Sequence, residues 1–151
     1  MKKLMTTLLC LLLLASCGTK QDDIPETSSE GTKQLKVFEK ASESESDIFK
    51  IGEALTKTDP ELSLEMAEVE PGWLNGFSED VTGFTKGVVV APIIGSIPYV
   101  AYVFESEDPE ALLKELDEKH NMRWNICTEA DEKVSAIKGN LVFYIMCSNE
   151  E

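Results

Sequence analysis

Positive charge is what this chain has least of. Histidine and arginine occur once each, and 14 Lys and Arg stand against 28 Asp and Glu, a formal charge of −14 in 151 residues. That balance argues against a nucleic-acid partner, whose binding depends on neutralising phosphates with Lys and Arg. It argues equally against attachment by charge to anionic lipid headgroups. One histidine and four cysteines without close pairing leave a zinc centre without a ligand set. Long apolar runs are missing too. The stretch 88–104, VVVAPIIGSIPYVAYVF, carries no charge over 17 residues, yet Pro92, Gly95 and Pro98 interrupt it and β-branched and aromatic residues dominate it. It is too short and too broken for a membrane helix. Hydrophobic residues at 42% still suffice for a core, so the composition is globular rather than disordered.

The first twenty residues carry an address. Lys2 and Lys3 precede an apolar run at 4–14, and Ala15-Ser16-Cys17-Gly18 follows. This is the layout of an export signal. Leu14-Ala15-Ser16-Cys17 resembles the lipobox of bacterial lipoproteins. The resemblance implies cleavage before Cys17 and a diacylglycerol on its thiol; the plainer alternative is an ordinary signal peptide with a chance cysteine. Losing residues 1–16 removes two lysines and no acid, leaving 12 basic against 28 acidic side chains, or −16. The expected product is an acidic body held to a bacterial membrane from outside the cytoplasm by buried lipid methylenes. Gln21-Asp22-Asp23 resembles the acidic tracts that send some lipoproteins to the cell surface, although a solvated linker explains three such residues more simply.

Residues 17–46 are poor in large apolar side chains and contain TSSEGTK and ASESESD. Such a segment buries too little to offset its ordering entropy, which predicts a flexible acidic tether. A short helix at 35–41, with Leu35, Phe38 and Ala41 on one face, is the one element it could hold. The body is then 47–151, enough for one core.

Within that body, Asp47 caps a helix whose apolar face is Ile48, Ile51, Ala54 and Leu55, giving a helix at about 47–57. Leu62, Leu64 and Met66 alternate as in a strand, whereas Leu62, Met66 and Val69 have helical spacing; the strand is preferred. The 88–104 run predicts a hairpin turning at Gly95-Ser96, with glycine supplying a positive φ and the prolines at strand ends or an edge. Asp108-Pro109-Glu110 predicts the start of a second helix, 109–120, with a capping acid and proline at the first helical position. The end, 132–147, reads as a hairpin turning at Gly139-Asn140; a helix across 130–137 capped by Thr128 is the minority alternative. Together these predict one α+β domain with a mostly antiparallel sheet and two helices.

PGWLNGF (71–77), APIIGSIPYVAYVFE (91–105), RWNICTEADE (123–132) and GNLVFYIMC (139–147), taken with the lipobox, resemble small lipid-anchored proteins of Gram-positive anaerobes that carry a domain of unknown function. That resemblance implies a membrane anchor and one compact α+β domain. It brings no activity, cofactor or catalytic residue.

Candidate chemistry is sparse. His120 falls at the end of the second helix, where the dipole favours a cation, and no nucleophile or orienting partner stands near it in sequence. Glu105, Glu107, Asp108 and Glu110 lack the loop pattern of a calcium site. No metal and no cofactor is expected. Arg123 either clamps a ligand carboxylate or, more simply, pairs with an acid of the protein or lies on Trp124. Trp73, Phe77 and Phe84, spaced by glycines, either line a sugar or peptide groove or fill the core under a loop, and the core is the simpler account. Cys127 and Cys147 are as well placed to form a disulfide as to remain free thiols. Ile93, Ile94 and Ile97 either stay partly exposed at the hairpin tip as a partner surface or are buried by the 109–120 helix; the sequence favours burial.

The reading that follows is a non-enzymatic, lipid-anchored binding or scaffolding module of the cell envelope, meeting the membrane through Cys17 and a protein or glycan elsewhere. The alternative is an envelope enzyme acting on glycans through a carboxylate pair. A two-lobed solute-binding protein needs more chain than this.

Overall fold

A computed structural model describes residues 28–149. Three helices, α1 (Glu30–Ser44), α2 (Ile48–Thr56) and α3 (Pro109–Lys119), accompany five strands: β1 (Leu64–Val69), β2 (Lys86–Pro92), β3 (Tyr99–Glu105), β4 (Glu132–Lys138) and β5 (Leu141–Cys147). The strands form one sheet in the order β1-β2-β3-β5-β4, with every neighbouring pair antiparallel. The α+β expectation stands, with three helices rather than two.

Both faces of the sheet are covered, which explains why the sequences of β3 and β5 are apolar throughout rather than alternating. Tyr99, Ala101 and Val103 of β3 join Phe143, Ile145 and Cys147 of β5 on one face, under α1 and α2. Val100, Tyr102 and Phe104 join Val142, Tyr144 and Met146 on the other, under α3 and the 70–85 segment. Strand alternation thus feeds two cores from one sheet.

Helix α1 corrects the expectation of a flexible tether over 17–46 at residues Glu30–Ser44; residues 17–27 of that segment lie outside the described residues. Ser29 caps it, accepting from the Thr32 backbone N–H. Phe38 is fully buried and stacks on Phe143 with centroids 5.1 Å apart and planes 17° from parallel. At its start, the Glu132 carboxylate accepts from the Gly31 N–H at 3.0 Å and from the Ser29 hydroxyl. Leu35, Val37 and Ala41 pack beside the ring, Gly31 lies against Val134 and Glu132, and Gln34 is buried. The stripe of Leu35, Phe38 and Ala41 is short and flanked by Ser- and Glu-rich sequence, so composition alone suggested solvent.

The other elements follow their local signals. Asp47 caps α2, and Gly52 lets that helix approach the sheet so closely that a Cβ there would lie 2.5 Å from Met66 Sδ. Asp108 caps α3 with Pro109 in its first turn. The strand preferred for Leu62, Leu64 and Met66 begins at Leu64 as β1, and Glu132–Lys138 forms β4 in place of the alternative helix over 130–137. Gly139 turns the β4–β5 hairpin at φ 62°. Gly95 does not play the same part. Positive φ among the described glycines is confined to Gly72, Gly76 and Gly139. The β2–β3 connection instead spans 93–98, a wider loop closed by Ile97 N–H to Ile94 C=O at 3.3 Å. Pro92 ends β2, where no ladder bond is lost.

A candidate interaction surface at the hairpin tip

Two loops meet at one end of the sheet. The 93–98 loop is held on one side by Ile93 N–H to Ser63 C=O at 3.2 Å and on another by Ser148 N–H to Pro98 C=O at 2.9 Å. The 121–131 segment folds against it: the Asn125 side-chain amide donates to Gly95 C=O at 2.8 Å and the Thr128 hydroxyl to Ser96 C=O at 3.0 Å. Between the loops lies a shallow cleft of about 420 Å³, lined by Asn75, Ser96, Trp124, Asn125, Ile126 and Cys127 among others. Backbone-directed bonds at both ends make the tip a built feature.

Its outer side chains are apolar. Ile93 is 63% exposed, Ile94 60%, and Ile126 fully exposed. Ile97 is half-buried and packs against the core beneath α1 and α2. The favoured expectation, burial of all three hairpin isoleucines under the 109–120 helix, is therefore corrected. Helix α3 covers the opposite face of the sheet and leaves the tip open, because its own stripe of Leu112 and Leu116 is matched to Val142, Tyr144 and Phe104. Ile126 gave no sequence signal: an isolated isoleucine in a polar loop has no period to read.

The remaining candidates scatter. Phe77 and Phe84 are core, at 3% and 4% exposure; Phe77 packs on Tyr102 and Tyr144, and Phe84 on Phe104. Trp73 alone of that trio is exposed, so the three rings form no groove. Arg123 is exposed and pairs with Glu129 at 3.1 Å. Cys127 and Cys147 are both free, the first exposed in the tip loop and the second buried on the face under α1. Burial pushes the Cys147 thiol up, the neighbouring Glu132 carboxylate adds to this, and the thiol stays protonated. His120 ends α3 with Nδ1 2.8 Å from Asp117 C=O and forms an isolated bridge with Phe77, a structural position. Cys17 lies outside the described residues.

Among the described residues no group of three or more His, Cys, Asp or Glu could hold a metal ion. At the opposite end of the sheet a cleft of about 430 Å³ does contain two acids, Glu105 and Glu107, beside Thr85, Ser106 and Asn140. Glu105 is engaged by Lys86 at 3.6 Å. Asp108 and Glu110 serve the start of α3.

The most elaborate carboxylate elsewhere is Glu115, which accepts from Gly83 N–H at 2.8 Å, Thr82 N–H at 3.0 Å and Lys119 Nζ at 2.7 Å. Its partial burial alone would raise the carboxyl, but Lys119 and the two N–H donors outweigh this and hold it below the ordinary range. It pins the 70–85 segment onto α3. Burial also drives the Tyr102 and Tyr144 phenols up, so both act as neutral donors, Tyr102 to Asn75 C=O at 2.6 Å and Tyr144 to Asp117 Oδ1 at 3.1 Å.

No family model matches this chain, and no curated protein or solved structure matches it either.

Proposed function

We propose that the protein is a lipid-anchored, extracytoplasmic module of the bacterial envelope, tethered through Cys17, which acts by binding rather than by catalysis. The observation that supports this reading is the hairpin tip. Three isoleucines stand in solvent on a braced loop pair, in a chain whose surface is otherwise strongly acidic. Exposed large apolar side chains brought together on an otherwise acidic surface mark contact sites. The lipobox-like Leu14-Ala15-Ser16-Cys17 supplies the anchor.

The test is processing of the full chain. Wild type is expected to partition into detergent and to carry diacylglycerol on Cys17. Cys17→Ala is expected to accumulate as uncleaved precursor or to escape into the medium. A variant processed and retained like wild type removes the anchor from the proposal.

The glycan-acting alternative has one feature behind it, the cleft holding Glu105 and Glu107. A retaining or inverting pair needs two carboxylates free to act on one bond, and here Lys86 already occupies Glu105. Hydrolysis of envelope glycans by wild type that is lost in Glu107→Gln would favour that alternative over binding.

A further inference from the structure

We propose that β4 is a self-association edge: two copies of this chain join through it, antiparallel about a two-fold axis at Ser135, into one continuous sheet. The inference depends neither on the anchor nor on the tip.

The backbone sets the phase. Ser148 N–H bonds to Pro98 C=O and Ser106 N–H to Asn140 C=O, so the even-numbered residues of β5 point their peptide groups at β3. Its odd-numbered residues point at β4, as Cys147 does in accepting from Asp131 N–H at 3.1 Å. In the register that pairs Glu132 with Cys147, the peptide groups of Glu132, Val134, Ala136 and Lys138 face β5. Those of Lys133, Ser135 and Ile137 face outward, and β4 is an edge of the sheet. Among the described residues no backbone bond reaches these three from that side. An antiparallel partner strand must offer outward groups in the same phase. A second β4 centred on Ser135 does so: Ser135 meets Ser135, and Lys133 meets Ile137 of the second copy, each as a doubly bonded pair.

Side chains choose the same centre. About Ser135, Glu132 lies opposite Lys138 of the second copy and Val134 opposite Ala136, with no like charges facing each other. Moving the centre one residue either way keeps the backbone phase but sets Glu132 against Ala136 or Asn140 and loses both ion pairs. Glu132 keeps acceptor capacity beyond its bonds from Gly31 and Ser29, and Lys138 keeps donors beyond Glu39 C=O at 3.0 Å. Ile137, 39% exposed, comes under the Lys133 stem of the second copy. The other free edge, β1, carries Glu65 and Glu68 and no base, so two copies of it repel.

Helix α1 fits over the joint. Gly31 lies against Val134 of β4 and Phe38 stacks on Phe143 of β5, so α1 runs above the β4–β5 pair. Its counterpart then stands two strand spacings away, about 9.6 Å, the separation of packed helices. Lys33 and Val37 face a groove beside Thr58, on the α2 side. Leu35, half a turn round from Val37, takes the opposite flank. Gly31 at Glu132 and Glu39 at Lys138 set Leu35 level with Ser135, where it meets the second α1.

The full chain is solubilised in non-ionic detergent at about 0.15 M salt, where repulsion between two acidic bodies is largely screened. Sedimentation should show a closed dimer. Across the axis the two Ser135 Cα atoms stand about 5.5 Å apart, within disulfide reach. The two Ile137 Cα atoms are separated by about 13 Å along the strands. A Cys127→Ser background removes the exposed free thiol. In it, mild oxidation should join Ser135→Cys chains into covalent dimers far faster than Ile137→Cys chains or the background itself. Lys138→Glu sets like charges against Glu132 at two symmetry-related places. It should raise the dimer dissociation constant at least about tenfold and leave the circular dichroism spectrum unchanged. Ile137→Pro, which removes only an outward N–H, should do the same. A monomer at every concentration, equal trapping at positions 135 and 137, or a dimer indifferent to Lys138→Glu overturns the inference. So do open-ended polymers, which would mean β1 meeting β4 head to tail, and, in intact cells, trapping of Ser135→Cys to a different protein. A failed Cys17 anchor leaves the dimer standing, so the two readings fail separately.

Discussion

Phe38 decides whether the segment before residue 47 belongs to the domain. Its ring is fully buried between α1 and β5 and stacked on Phe143. Phe38→Ala removes that ring and leaves a cavity that Gln34 and Val37 on the same helix cannot fill without moving it. The expected loss is about 3–5 kcal/mol, of which the aromatic pair accounts for about 0.5–1.5 kcal/mol. For a domain of roughly 120 residues the unfolding entropy is about 0.25 kcal/mol per kelvin, so a loss of 4 kcal/mol lowers the melting temperature by about 15 °C. Urea and thermal unfolding of the full chain measure this directly. Amide exchange adds a local readout, because α1 should be protected in wild type and should exchange first in the variant. A mutant whose stability stays within about 0.5 kcal/mol of wild type, the usual effect of a surface change, would refute the packed helix and restore the tether.

The tip and the two cores make further, separable demands. Ile94→Asp should change unfolding free energy by less than about 0.5 kcal/mol, whereas a buried, unpaired carboxylate would cost several times that, so a large loss in urea titration would show that the tip is core. Glu115→Ala should cost about 2 kcal/mol, since it leaves two backbone N–H groups and Lys119 without their charged acceptor. Because the folded Glu115 carboxyl lies below its unfolded value, its contribution is complete above about pH 4.3 and fades as pH falls through the folded value; Glu115→Gln should therefore flatten the acid limb of the stability curve, and an unchanged limb would contradict the assignment. Thiol titration of the native protein should find Cys127 reacting at once and Cys147 only on unfolding, and slow reaction at Cys127 or fast reaction at Cys147 would contradict their placement.

Local signals located most of the elements. Asp47 and Asp108 mark two helix starts, each with its own backbone N–H to satisfy, and Gly139 marks a turn because the backbone there needs a positive φ. The 88–104 run reads as buried strands, given its prolines and β-branched residues, and the closing run reads as the second arm of a hairpin. For such features the relevant partners lie within a few residues, so the chain is read directly. The candidate site was less legible. Ile93 and Ile94 stood out as apolar residues between prolines, but whether they meet solvent depends on where α3 goes. That choice is made by Leu112 and Leu116 against Phe104, Val142 and Tyr144. Ile126 and Asn125 became part of the tip only through bonds to a loop 30 residues away.

What the amino-acid sequence by itself determined is the acidity of the chain, its strands, two of its three capped helices, and one α+β domain. Each of these rests on composition or on contacts short in sequence. Tertiary structure alone decided that α1 is core, that Phe77 and Phe84 are packing residues, that Cys127 and Cys147 are apart in environment, and that the isoleucine tip stays open. These outcomes turn on which surfaces are covered. Covering is set by the sheet order β1-β2-β3-β5-β4 and by which helix each face receives, where residues more than 100 positions apart, such as Gly31 and Glu132, come within hydrogen-bond distance.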